Sequence, residues 1–169
     1  MKKHNYFILI LALAVLFFAS CQSNSSTTLE SSEIKNKEER IKILTKHIKD
    51  YSEIVDTEFS LFNANGFESS FTFLPAASHS DYKMAIKVDK NNIEKWLVGM
   101  YEAKKPNAQD SVWIHSILEK IDSTRRQNWK ESIAKSTPKR FIISPTNGRS
   151  KIALVYQNEG VIFERIIQN

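Results

Sequence analysis

Three side chains that could hold a metal ion or move a proton share one face of a predicted helix. His115, Glu119 and Asp122 stand at positions i, i+4 and i+7, so a helix would place them on neighbouring turns. A carboxylate one turn from a histidine can complete a metal site or orient a general base. The sequence contains no HExxH motif, however, and these residues lie beside the apolar stripe of the helix. We therefore interpret His115 and Glu119 as candidate ligand or partner contacts, and expect neither a metal site nor catalytic residues.

A second histidine, His79, lies in the segment ASHSD, with serines on both sides and Asp81 two residues later. Serine, histidine and aspartate form hydrolytic triads, but neighbours in an extended loop cannot face one another as a triad requires. The GxSxG motif of a nucleophile elbow is also absent from the sequence. We interpret the segment as a polar turn that presents His79 as a contact, and an enzyme is less expected than a binding protein.

Aromatic and basic residues indicate a further candidate contact surface. Trp113 lies beside the apolar stripe of its helix and next to His115, so we expect it to be partly exposed. Arg125 and Arg126 begin a basic region that could meet lipid headgroups, an anionic glycan or an acidic protein. No base-stacking aromatic motif accompanies these charges, so no nucleic-acid partner is expected. Glycine-rich phosphate loops and cysteine-based metal motifs are absent from the sequence, and we expect no cofactor.

The only cysteine of the chain, Cys21, stands where an apolar segment meets a polar one. Two lysines, at positions 2 and 3, precede a mainly apolar run over residues 6–18. That run is shorter than the roughly 20 residues that span a bilayer, but its length is typical of a signal-peptide core. Small residues, Ala19 and Ser20, separate it from the cysteine.

The stretch Phe18-Ala19-Ser20-Cys21 resembles a bacterial lipobox, with Phe18 where that family usually has leucine or another aliphatic residue. The resemblance implies that residues 1–20 are a lipoprotein signal peptide. It also implies that Cys21 becomes the first mature residue and carries a diacylglyceryl thioether and an N-acyl chain. Two or three acyl chains hold a protein stably on a membrane. By the same resemblance, Gln22 in place of an aspartate implies the outer membrane, with the protein facing the periplasm.

The composition is that of a globular protein, since 41% of the residues are hydrophobic and 25% are charged. Two of the charges that make the net charge +5 are lysines of the predicted leader, so the remaining excess is mild. Residues 21–32, rich in serine and threonine, predict a flexible tether. Residues 33–169 are then left for a single domain.

The first half of that domain contains a helical pattern followed by strand patterns. Isoleucines at positions 34, 41 and 48 recur every seven residues and predict a helix over residues 33–52. Strands are predicted over residues 57–62 and 68–74, joined by a turn at Asn65-Gly66. Alternating apolar and polar residues predict a third strand over residues 81–89.

The second half changes to helical periodicity and then returns to strands. Residues 90–105 predict one helix, with Trp96 in the core, and residues 110–135 predict a longer one. After Pro138, three strand patterns are separated by short turns, which makes antiparallel neighbours. The predicted order is α-β-β-β-α-α-β-β-β. It indicates an α+β domain in which helices pack on one face of a single antiparallel sheet of about six strands.

These observations favour a lipid-anchored binding or interaction module of the cell envelope. Its expected partners are the membrane, through Cys21, and an envelope protein or an anionic glycan. An inhibitor or immunity-type lipoprotein is a second interpretation, because small size and anchoring suit that role. An envelope hydrolase is a weaker third interpretation, because no catalytic constellation is recognisable.

Overall fold

Seven antiparallel strands form one sheet in the computed structural model, which describes residues 26–67, 79–103, 108–146 and 148–169. The strands are β1 (Thr28–Glu30), β2 (Ile54–Asn63), β3 (Ser80–Val88), β4 (Tyr101–Ala103), β5 (Lys139–Thr146), β6 (Arg149–Tyr156) and β7 (Val161–Gln168). Their order across the sheet is β1-β2-β3-β7-β6-β5-β4, so β3 and β7 join two groups of consecutive strands. The predicted α+β class and single antiparallel sheet are confirmed, with one strand more than expected. The predicted leader, residues 1–20, and the predicted strand over residues 68–74 lie outside the described residues.

Four helices accompany the sheet in the described part of the chain. They are α1 (Lys37–His47), α2 (Ile93–Trp96), α3 (Ala108–Leu118) and α4 (Ser123–Ile133). Short 3-10 turns cover Ser31–Glu33, Lys90–Asn92 and Gln157–Glu159.

The helices lie on both faces of the sheet, not on one face as predicted. Along β3, Met84 and Ile86 join the core beneath α1 and α2, whereas Ala85 joins the core beneath α3 and α4. The same division holds in β7, where Ile162 and Phe163 are both fully buried but on opposite faces. A strand that is apolar at consecutive positions is buried on both sides. The run VIF at the start of β7 therefore requires two helical layers.

The first helix is shorter than its sequence pattern predicts. Asn36 accepts a hydrogen bond from the Glu39 amide and starts α1, and the backbone at Ile48 is already extended. Leu44 is fully buried against the sheet, so it anchors the helix more firmly than the heptad isoleucines do. The seven-residue spacing therefore continued past the real end of the helix into the segment that leads to β2.

The predicted helix over residues 90–105 is also largely replaced. Only α2 is α-helical, and Gly99 then adopts a left-handed φ of 78° that ends the helical path. Tyr101–Ala103 pairs with β5 as the edge strand β4. Trp96 is in the core, as predicted, with 1% of its surface exposed.

The predicted helix over residues 110–135 is two helices, and Asp122 starts the second of them. The Asp122 side chain accepts a hydrogen bond from the Arg125 amide at 3.0 Å and caps the start of α4. Trp113, Ile117 and Ile121 precede this break and are buried on the sheet, and Trp129 follows it in the same core. A break at Asp122 lets both helices turn their apolar sides to one surface.

The end of the predicted tether belongs to the sheet. Thr28, Leu29 and Glu30 pair with Phe62, Leu61 and Ser60 of β2, so the tether boundary at residue 32 was placed too late. Edge-strand hydrogen bonds and the apolar Leu29, which packs on the core, explain why this serine- and threonine-rich segment is ordered. Residues 21–25 of the predicted tether lie outside the described residues.

A tight turn before β7 gives a first testable prediction. Gly160 has a φ of 67°, and a Cβ there would collide with the carbonyl oxygen of Val88. Gly160→Ala is expected to lower the free energy of unfolding by about 3 kcal/mol, measured by urea denaturation, through strain and collision together. Gly99 is the matched control, because its φ is 78° but no atom lies within 4 Å of a Cβ. Gly99→Ala should cost only about 1 kcal/mol of strain, and equal losses in the two variants would contradict the collision.

Candidate functional site

The described residues line an open cavity of about 750 Å³ on the α1 face of the sheet. Its floor is formed by β3, β7, β6 and β5, and its other side by the end of α1, the segment after it and Val98. Because α1 ends at His47, it does not cover this end of the sheet. The cavity is thus a consequence of a helix shorter than the strands on which it packs.

The strand register sets out the floor in three rows. Glu164, on β7, lies in the innermost row, next to Ala153 of β6. Ile166 lies in the middle row between Tyr82 and Lys151, and Ile143 continues that row on β5. Gln168 and Arg149 lie in the outermost row, beside Ser80. Side chains two residues apart on a strand point to the same face, so all three rows face the cavity.

A buried ion pair joins the innermost row to the middle row. Lys151 Nζ lies 2.8 Å from Glu164 Oε2, and the two side chains are 11% and 3% exposed. Burial raises the pKa of the Glu164 carboxyl, and the nearby positive charges of Lys151 and Arg149 act in the opposite direction. A carboxylate with little access to water needs such a partner to remain charged.

Tyr51 forms an aromatic wall of the cavity between two lysines. Lys49 Nζ lies 5.2 Å from the centre of the Tyr51 ring, and Lys151 Nζ lies 5.6 Å from it. Such distances permit a cation–π attraction. The edge of the ring also packs against Trp96, whose Nε1 donates a hydrogen bond to Ser52 Oγ at 2.9 Å. Tyr51 is therefore held in place by the core, while its face remains beside the cations.

Two lining residues on the opposite side, His47 and Tyr82, are joined through the ring of Phe67. His47 packs edge-on against Phe67 with ring centres 4.9 Å apart, and Phe67 stacks on Tyr82 at 6.2 Å. Burial, and secondly the charge of Lys46, lowers the pKa of the His47 imidazole, so it is neutral at pH 7. Burial raises the pKa of the Tyr82 phenol, which therefore keeps its proton. These groups supply hydrogen bonds and apolar surface without adding charge at neutral pH.

The charges that line the cavity are unequal. Lys49, Lys151 and Arg149 are basic, and Glu164 is the one acidic side chain among the described lining residues. Lys151 is paired with that carboxylate, whereas Lys49 and Arg149 are exposed and make no ion pair within the described ranges. The arrangement can attract and hold an anion at the cavity mouth.

A second buried charge cluster lies at the edge of the sheet, where β1 ends. Glu58 is fully buried, and its Oε1 lies 3.5 Å from Arg40 Nε and 3.4 Å from Arg125 Nη1. Ser31 donates a hydrogen bond to Glu58 Oε2 at 2.6 Å and accepts one from the Phe59 amide. Burial raises the pKa of the Glu58 carboxyl, although Ser31 and both arginines act to lower it. The arginines fill the space around the carboxylate, so this cluster holds the fold together.

The predicted basic contacts are part of this packing. Arg125 donates a hydrogen bond to the Ile34 carbonyl at 3.0 Å and pairs with Asp122 at 2.6 Å. Arg126 donates hydrogen bonds to the carbonyls of Glu119 and Ile121 at 2.7 and 3.0 Å. It thereby satisfies carbonyls of the segment that follows α3. Both guanidiniums bind the protein itself, which explains their positions without an external ligand.

The predicted histidine contacts are not brought together with the cavity. His115 is exposed on α3, on the opposite face of the sheet, and Glu119 is exposed just after the end of that helix. Asp122 lies beyond both and caps the start of α4. His79 is exposed beside Phe62, with ring centres 6.1 Å apart. No three histidine, cysteine, aspartate or glutamate side chains within the described ranges are placed to share a metal ion.

The predicted exposure of Trp113 is wrong. Only 4% of its surface is exposed, and its ring packs edge-on against Phe163 at 6.5 Å. Trp113 lies one turn before Ile117 on the same side of α3, and both side chains belong to the core beneath α3 and α4. Cys21 lies outside the described residues.

Comparisons of the chain with protein-family models, with curated proteins and with solved structures each gave no match. In the part of the chain that the structure describes, no helix has both the length and the apolar character that crossing a bilayer requires. The cavity is therefore interpreted from its own geometry.

Proposed function

We propose that this protein is a lipid-anchored binding module of a bacterial cell envelope, and that the cavity at the end of α1 is its ligand site. The observation that carries the binding role is the buried Lys151–Glu164 pair on the floor of an open cavity of about 750 Å³. Cavities of roughly 300–1,000 Å³ with a few placed polar groups are typical of small-molecule sites. A buried ion pair contributes little to stability by itself, so its presence in a cavity favours a role in recognition.

The anchoring part of the proposal rests on the lipobox resemblance at Phe18-Ala19-Ser20-Cys21. In this proposal the folded domain begins at β1, a few residues after the lipidated cysteine. An anchored module of this kind would hold its ligand close to the membrane that carries it. Catalysis is not part of the proposal, because the cavity supports ligand binding without a nucleophile–base arrangement among its described lining residues.

Cys21→Ala tests the anchor. Wild-type protein is expected in the membrane fraction and labelled by radioactive palmitate, because the sulfur at position 21 carries the lipid. The Cys21→Ala variant should lose the label and either leave the membrane or accumulate as uncut precursor. Ser23→Ala is the control and should keep both properties. An unlabelled wild-type protein in the soluble fraction would contradict the anchor without affecting the binding role of the cavity.

A further inference from the structure

We infer that the cavity binds a small organic anion, a carboxylate or phosphate that carries an apolar group. This inference rests on the proposed binding function of the same cavity and specifies its ligand. It follows from the order in which charged and apolar side chains occur across the cavity floor.

Positive charge is available at the mouth of the cavity. Lys49 and Arg149 line it from opposite sides, one after α1 and the other on β6. Both are exposed, and neither pairs with an acidic side chain among the residues that the structure describes. A guanidinium binds carboxylates and phosphates through two parallel hydrogen bonds, and an ammonium adds a point charge. Two such groups beside one opening favour an anion there.

Behind the mouth, the floor includes apolar side chains beside the paired Lys151 and Glu164. Ile166 forms its centre and Ile143 lies along the same row, with Lys151 between them. Ile48 and Val98 line the cavity from the other side, and 72% of Val98 is exposed. Exposed apolar side chains in a cavity gain roughly 25 cal/mol for each Å² that a ligand removes from water. A ligand with an anionic group at the mouth and an apolar group behind it would contact both the basic side chains and the isoleucines of the middle row.

The same charges disfavour a cationic ligand. The inner carboxylate, Glu164, is paired with Lys151 at 2.8 Å and is 3% exposed, so it is not open to a ligand amine. An amine would instead meet Lys49 and Arg149 at the mouth, and like charges repel. The buried pair also keeps Lys151 in place against Tyr51, which shapes the inner end of the cavity.

The test measures binding of matched six-carbon probes to the full chain by isothermal titration calorimetry. Protein that fractionates with membranes is placed in phosphatidylcholine nanodiscs, and soluble protein is used directly, with heats of empty discs subtracted. Hexanoate and hexyl phosphate are expected to bind at least tenfold more tightly than 1-hexanol or hexylamine, because charge-assisted hydrogen bonds are added. Hexanol binding as tightly as hexanoate would overturn the anion inference and leave the binding function intact. Absence of binding by all four probes would overturn both.

Charge reversal localises the binding. Lys49→Glu and Arg149→Glu are each expected to weaken hexanoate binding about tenfold or more. Lys42→Glu is the matched control, because Lys42 is an exposed lysine of α1 that does not line the cavity. It changes the net charge equally and should leave the affinity unchanged. Equal losses in all three variants would show a general charge effect and overturn the proposed site.

The source of the anion is distinguished by repeating the titration in nanodiscs that contain phosphatidylglycerol. A lipid ligand would occupy the cavity, so hexanoate affinity of the wild type should fall while that of Arg149→Glu changes less. A soluble ligand predicts equal shifts in both proteins. Either result agrees with an apolar anion as ligand and assigns it to the bilayer or to solution.

Discussion

Lys151→Met is expected to lower the free energy of unfolding by about 3–5 kcal/mol at pH 8, because it leaves the Glu164 carboxylate buried without its partner. Glu164→Leu should lower it by a similar amount, since the Lys151 ammonium then lacks its carboxylate. The double variant, in which both groups become apolar, is expected to lie within about 1 kcal/mol of wild type or to exceed it. Urea denaturation of the four proteins gives the coupling energy directly.

The pH dependence of Lys151→Met has a definite sign. Burial raises the pKa of the Glu164 carboxyl above its ordinary value of 4.5, and removal of Lys151 takes away a charge that opposes this effect. The folded protein therefore retains a proton that the unfolded chain has released, and stability falls as the pH rises above that value. The loss in Lys151→Met should be larger at pH 8 than at pH 5, and the double variant should lack this dependence.

An exposed pair provides the control for this cycle. Lys139 Nζ lies 3.3 Å from Glu102 Oε2, and each side chain is 54% exposed. Solvent screens such pairs, so Lys139→Met should change stability by less than about 1 kcal/mol. Additive effects at positions 151 and 164 would contradict a coupled buried pair, as would a loss at position 151 no larger than that at position 139.

Arg40→Met is expected to cost about 4 kcal/mol and to release the chain segment between β1 and α1. Arg40 is 3% exposed, and its guanidinium lies 2.7 Å from Asp56 Oδ1 and 3.5 Å from the buried Glu58. It also donates hydrogen bonds to the carbonyls of Thr57 and Lys35 at 2.9 and 3.0 Å. Removing one partner of a buried ionic cluster leaves both a carboxylate and carbonyls without donors.

Two measurements separate this effect from a general loss of stability. Urea denaturation reports the free energy, and hydrogen exchange reports the amides of residues 31–36, which should lose protection before the strands do. Lys42→Met, an exposed change on the same helix, should leave both unchanged. Uniform loss of protection across the sheet would contradict a local role for Arg40.

The strands that were predicted well are those whose pattern of apolar and polar residues is visible within a few neighbouring positions. Alternation over residues 81–89 corresponds to β3, and three short strands after Pro138 correspond to β5, β6 and β7. The location of the helices is harder to predict from the sequence. Consecutive apolar residues such as Ile162 and Phe163 indicate a strand, and their burial requires a covering layer on each face of the sheet. That signal was present and decides the architecture.

The helix boundaries failed for identifiable reasons. Asp122 precedes Ser123 and Thr124, a combination that favours a helix start, yet the continuous apolar spacing suggested one long helix. The predicted helix over residues 90–105 includes Gly99, whose left-handed backbone cannot continue a helix. In both places a single residue with its own backbone or capping preference outweighs the periodicity around it.

The candidate site was only partly accessible from sequence. Glu164 is flanked at two-residue spacing by Ile162 and Ile166, which marks a carboxylate on the buried side of a strand. Its partner Lys151 could not be identified, because the pair depends on the register between β6 and β7. Lys49 approaches the same cavity from a segment outside the sheet. Tertiary packing therefore assembles the site from residues that carry no shared local pattern.

The register of β1 determines which end of the sheet lies closest to the amino-terminal segment of the chain. Thr28 lies opposite Phe62, which continues through Asp81 and Ile167, so the chain enters the sheet at the end where the cavity is located. Six residues lie between Cys21 and Thr28, so a fully extended chain between the two would span at most about 25 Å. Under the proposed lipidation, the end of the domain that contains the cavity would be the end closest to the lipid anchor, near molecules that leave the bilayer.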